Sequence, residues 1–165
     1  MATINSCNTQ LVPIASSNVT YTLQPAATTY GNSQANVTGD GTVYTVLFAN
    51  EVIDKQGNFS SPTWTAPVTG KYLISTTVFL QQQAGTMTSN KVTIVTTARS
   101  YLCTNVNAAI RDANNNWGNA VASSIVDMTS GDTATITVQC SGGTKVVDVL
   151  GGASFATILS VRLVA

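Results

Sequence analysis

The sequence predicts an all-β protein built as a sandwich of two antiparallel sheets, on three observations. Thr and Val crowd the chain, and their branched Cβ atoms restrict the rotamers a helix would demand while suiting a pleated strand. Short runs with a two-residue alternation of apolar and polar side chains recur between clusters of Gly, Asn, Ser and Asp. No segment carries an apolar stripe at helical spacing. The 165 residues fit one domain, long enough to bury about two-thirds of the surface its unfolded form would expose.

Residues 1–22 read as an extension or the end of a shaft, because SCNTQLVPIASSN has no sustained alternation; residues 23–165 read as the sandwich itself. Thr42 to Ala49 puts Tyr44, Val46 and Phe48 on one face. Asp54 to Asn58 carries turn chemistry, Phe59 and Trp64 supply aromatic anchors, and Pro67 to Gly70 form a corner. Lys71 to Leu80 then puts Tyr72, Ile74, Val78 and Leu80 on one face and Leu73 and Phe79 on the other. Further strands are expected at Asn90 to Ala98, Val121 to Met128, Thr133 to Cys140, Lys145 to Leu150 and Thr157 to Val164. Thr133 to Cys140 (TATITVQC) has the cleanest alternation, one face dry and one wet. Gly142-Gly143 is expected to join it to the next strand as a short hairpin.

Charge excludes some function classes. Seven Lys and Arg balance seven Asp and Glu, and only 8% of residues are charged, against about 25% in a typical domain. Such a chain has no net field to draw it to nucleic acid or an anionic membrane, and no apolar run approaches the roughly 20 residues needed to span a bilayer. Met1 to Ser17 lacks a basic start followed by an apolar stretch, so synthesis in a cytoplasm without a secretory signal is expected. The sequons at Asn18, Asn36 and Asn58 carry no weight in that setting.

Catalysis is not expected. The chain has no histidine, which excludes Ser-His and Cys-His nucleophile pairs. Its one Glu and six Asp mostly sit in turns, and three cysteines cannot all pair within one chain. Cys140 and Cys103 fit buried, reduced thiols, whereas Cys7 lies in a polar stretch where exposure is open. A structural metal site has no second thiol nearby to build on.

The loop Arg111 to Asn119 is the site candidate. Asp112, Asn114 and Asn116 alternate like the first donors of a calcium loop, but Gly118 comes one residue late and no acidic residue closes the loop, so calcium is only weakly supported and no cofactor is expected. Arg111, Asp112, Asn114, Asn115, Asn116 and Trp117 together offer amides, charges and a flat apolar ring, the chemistry a sugar requires. The alternatives are that turn chemistry alone explains the asparagines, and that Trp117 folds back over the sandwich end or a joint between subunits.

The pattern Phe48, Asn50, Gly57, Phe59, Pro67, Gly70, Tyr72 resembles the signature of the trimeric jelly rolls typified by the globular head of the complement recognition subcomponent and by tumour necrosis factor. Val126 to Thr133 (VDMTSGDT) is similar to the same family's apolar pair and Gly-Asp turn, and Asn36 to Thr45 (NVTGDGTVYT) is similar to versions found in bacteriophage and other viral fibre proteins. The chain departs from the family at Leu159 and Val161, which stand where Phe and Gly are usual. The resemblance implies a jelly-roll sandwich, a homotrimer, and burial of Trp64 where the family places an aromatic. Tyr72, Phe79, Leu159, Val161 and Leu163 are then candidates for the trimer interface, with burial inside one sandwich as the alternative for each. It further implies a non-enzymatic head that binds a cell-surface glycan or protein receptor through distal loops, at a virion surface or an extracellular fibre tip. The alternative is a purely structural trimerisation or decoration protein without a ligand.

Overall fold

The computed structural model describes residues 24–106, 116–152, 154 and 157–165, and every regular element among them is a strand. In chain order these are β1 (Ala26–Tyr30), β2 (Gln34–Thr38), β3 (Val43–Thr45), β4 (Asn50–Asp54), β5 (Phe59–Ser60), β6 (Thr63–Thr65), β7 (Gly70–Gln81), β8 (Ser89–Thr96), β9 (Ser100–Val106), β10 (Gly118–Met128), β11 (Thr133–Ser141), β12 (Val147–Leu150) and β13 (Ile158–Leu163).

Two antiparallel sheets face each other. In the first, β10 lies along one edge of β7, and β13 and β12 share the other edge end to end; β1 and β4 continue beyond β13, and β2 beyond β12. In the second, β8 then β9 lie to one side of β11, while β3 and β6 share its other edge, with β5 beyond β6. The long strands alternate strictly: Tyr72, Ile74, Val78 and Leu80 of β7 meet Ala134, Ile136, Val138 and Cys140 of β11 in one core. Full burial of a side chain such as Leu80 or Ile136 stabilises the fold by about 1.5–3 kcal/mol.

An aromatic pair marks the end of this core where β7 begins. Trp64 is 1% exposed and meets Tyr72 edge-on, with ring centroids 4.8 Å apart. The Tyr72 hydroxyl donates to the Val68 carbonyl at 2.6 Å, so the ring is buried without stranding its polar end. The turn from Asp54 closes as its residue types require: the carboxylate accepts from the backbone N–H of Asn58 (3.1 Å) and of Phe59 (3.0 Å), and Gly57 takes a φ of 64° that a side chain would resist.

Three expectations need correction. Thr42 to Ala49 is not one strand: the ladder stops at Thr45, because the Gln34 side chain takes both the N–H (3.0 Å) and the carbonyl (3.0 Å) of Leu47. Val46 and Phe48 stay fully buried regardless. Gly142-Gly143 is not a hairpin, since β11 and β12 belong to different sheets; Gly142, at φ 93°, lets the chain cross against the backbone of Thr86 and Thr88. Residues 26–30, 34–38 and 50–54 are strands that the sequence pattern did not announce.

Candidate functional site

The first sheet has an outer face that ladder registers resolve into rows. Opposite Phe79 on β7 lies Asn119 on β10. The next row is Val121, Thr77, Ile158 and Tyr30, then Ser123, Ser75, Ser160, Thr28 and Ile53, then Ile125, Leu73, Arg162 and Ala26. Charge is largely confined to the ends. Lys71 and Asp127 pair at 2.5 Å across β7 and β10, and hydrogen bonding to Lys71 holds the Asp127 carboxyl below its ordinary value. Ile125 (60% exposed), Val121 (54%) and Ile53 (46%) stand out from this face. The small hydroxyl side chains sink beside them into a groove of about 420 Å³ lined by Thr28, Ser75, Ser160, Ile53, Leu73 and Arg162.

The face ends at Trp117. Its half-buried ring lies edge-on to Phe79, centroids 5.8 Å apart with planes at 77°. The two rings, with Gly118 and the exposed Asn119, line a shallow pocket of about 210 Å³. Trp117 therefore takes the folded-back position of the two considered: its ring leans on the outer face rather than standing away at a tip. Of the other loop candidates, Asn116 is half-buried, has a φ of 53°, and accepts from the Gln83 N–H at 3.2 Å through its carbonyl. Arg111, Asp112, Asn114 and Asn115 lie outside the described residues, as do Cys7 and the extension at 1–22.

The trimer candidates divide. Tyr72, Leu159 and Val161, at 0%, 3% and 2% exposure, point into the sandwich, so they are withdrawn from the interface set. Phe79 is on the outer face, and Leu163, half-buried, packs against the core. Leu73, Val121, Ile125, Ile158 and Ile53 lie on the outer face with Phe79. The signal was available in the alternation: once Trp64 and Tyr72 are placed inside, residues of opposite parity on β7 and its neighbours must face out.

The titrating groups offer little chemistry. Cys140 is fully buried, and desolvation pushes its thiol up to about 12, which leaves no thiolate at neutral pH. Cys103 is half-buried against the core. Hydrogen bonds from Thr42 hold the exposed Asp40 carboxyl below its ordinary value, as expected of a turn aspartate. Among the described residues no three His, Cys, Asp or Glu side chains converge on a point, and no helix is long and apolar enough to cross a membrane.

No protein-family model matches the chain, and no curated protein matches it in sequence. Solved structures do match. Murine APRIL superposes with a TM-score of 0.55 at 14% identity, over 86% of this chain and 99% of that one. The globular domain of zebrafish complement 1qA superposes with a TM-score of 0.52 at 13% identity, over 86% of this chain and 98% of that one. With two antiparallel sheets in this order, the chain has the jelly-roll sandwich fold seen in murine APRIL and in the globular domain of zebrafish complement 1qA.

Proposed function

We propose that this chain is a non-enzymatic binding head that assembles as a homotrimer and engages a cell-surface receptor, a glycan, through residues 111–117, Trp117 among them. The outer face of the first sheet carries the reading. Its central rows are apolar or hydroxylic, whereas a sheet facing water permanently would ordinarily alternate with charge. Protruding Val121 and Ile125 lie on one lateral edge, and the groove lies toward the other, at β1 and β4. Ridge and groove at different places favour a head-to-tail contact that closes into a ring, over a twofold contact. The resemblance to trimeric heads supports three copies.

Aromatic walls and an exposed amide around the Trp117 pocket support the sugar ligand, since a ring face stacks on an aromatic side chain and hydroxyls pair with amides. Affinity for one such site would be low, and threefold display would raise the effective concentration for the second and third contacts. The similarity of residues 36–45 to viral fibre heads supports a virion surface or extracellular fibre tip as the setting. A second reading, a trimerisation or decoration protein without a ligand, draws on the lean of Trp117 onto Phe79, which gives the ring a role in packing.

Light scattering on the purified chain tests the assembly: a mass of 17.1 kDa at micromolar concentration refutes it. A glycan array probed with the wild type and Trp117→Ala tests the ligand. Binding lost in the variant supports the first reading. Binding by neither protein supports the second, and equal binding by both removes Trp117 from the site.

A further inference from the structure

We propose that a closed polar site between Gln83 and Asn90 holds a single internal water molecule, which ties the start of β10 to β8. The chain leaves β7 in the first sheet, passes Gln83, and enters the second sheet at β8, which contains Asn90. Gln83 is 0% and Asn90 4% exposed. Asn90 Nδ2 donates to Gln83 Oε1. That bond uses one donor group and one acceptor, and the remaining two, Gln83 Nε2 and Asn90 Oδ1, are buried without a hydrogen-bond partner among the described residues.

Reassigning the amide orientations does not remove the deficit. Turning Gln83 alone brings two NH2 groups together, and turning Asn90 alone brings two carbonyl oxygens together. Turning both restores the pair but again leaves one NH2 and one carbonyl over. Every arrangement therefore asks for a neutral occupant that accepts from an amide N–H and donates to an amide oxygen. A cation meets the NH2 group and an anion the carbonyl, so neither fits both. Water fits both, and buried waters in proteins characteristically serve such leftover groups.

The surroundings are shaped to keep this site. A Cβ at Gly118 would come within 2.4 Å of Gln83 Nε2, so only a glycine there leaves the amide in place. The Gln83 N–H holds the Asn116 carbonyl at 3.2 Å, and the residues on either side of this contact, Gln82 (φ 61°) and Asn116 (φ 53°), both have left-handed backbones. Side chains rarely adopt that conformation unless their surroundings impose it. Gln82 is fixed further by its bond to Asp148 at 2.7 Å. The approach to β10 at Asn116 is thus held by the Gln83 backbone, and Gly118 by the space the Gln83 side chain takes.

A crystal structure of the full chain at a resolution that shows ordered solvent tests the proposal. One water within hydrogen-bonding distance of both Gln83 Nε2 and Asn90 Oδ1 is expected; an empty site, or a protein group from residues 107–115 in that place, overturns it. Melting of Gln83→Leu, Asn90→Leu and the double variant gives an independent reading. Each single variant strands the partner amide and should melt well below wild type. The double variant removes both amides and the need for the water, so it should lose clearly less than the two single losses together. Additive losses would overturn the coupling.

Discussion

If the proposed trimer forms through the outer face of the first sheet, replacing Ile125 with Asp is expected to turn it into folded single chains. Ile125 keeps 60% of its surface exposed in one protomer, and covering that remainder is worth about 1–2 kcal/mol, scaled from about 1.5–3 kcal/mol for complete burial. A carboxylate in the same place adds a desolvation cost of several kcal/mol, so a loss of at least about 3 kcal/mol per subunit follows. All three subunits lose it, and the midpoint concentration for trimer dissociation varies with the square root of the equilibrium constant. The midpoint should rise about a thousandfold. Sedimentation equilibrium over a dilution series measures it, with the wild type at three times the 17.1 kDa chain mass and Ile125→Val close to it. Far-ultraviolet circular dichroism should show the Asp variant still folded, because residue 125 is outside the core. A variant that dissociates at the same concentration as wild type would refute the assignment of this face.

The other predictions concern the single chain. Trp64→Ala should cost about 3–5 kcal/mol, from the cavity and the lost contact with Tyr72; a denaturant midpoint shift of under a third of that would mean the site collapses around the gap. Cys140 should resist alkylation at pH 8 in the native state and react once the chain is unfolded, since its thiol sits at about 12 when buried; labelling located by peptide mass spectrometry reads this. Asp40 and Asp127 both have lowered folded values, so their stabilisation is complete above the ordinary carboxylate value and is lost as pH falls through the folded one. The urea midpoint of Asp40→Asn should therefore fall less than that of wild type between pH 5 and about pH 2; parallel curves would show that Thr42 does not favour the charged form.

Legibility from sequence followed the strength of alternation. β7, β8, β10 and β11 carry long two-residue periods, and their approximate positions could be read directly. β1, β2 and β4 could not, because AATTY, QANVT and NEVID lack a dry face of large side chains; pairing of β1 with β13, of β2 with β12 and of β4 with β1 holds them as strands. The break after Thr45 depends on Gln34, a residue far enough away in sequence that no local pattern announces it. Burial of Trp64 followed from its place in an aromatic motif. The posture of Trp117 did not, because its contact, Phe79, belongs to a strand separated from it by much of the chain. Tyr72, Leu159 and Val161 were ambiguous because both faces of their strands are mostly uncharged, with Lys71 and Arg162 near the strand ends, so hydropathy alone could not choose the inward one.

The three-way bordering of β7 bears on how the molecule is made. One long edge of this strand is completed by β10, and the other only when β12 and β13 arrive, from the last part of the sequence. Pairing across such separations pays a large closure entropy before any ladder forms, which slows folding. On a ribosome, the central strand therefore waits with an uncovered flank until residues 147–163 have been made. Nascent chains at high local density, as on a polysome, meet during that interval through the same flank, so chaperone dependence should peak before β12 and β13 emerge.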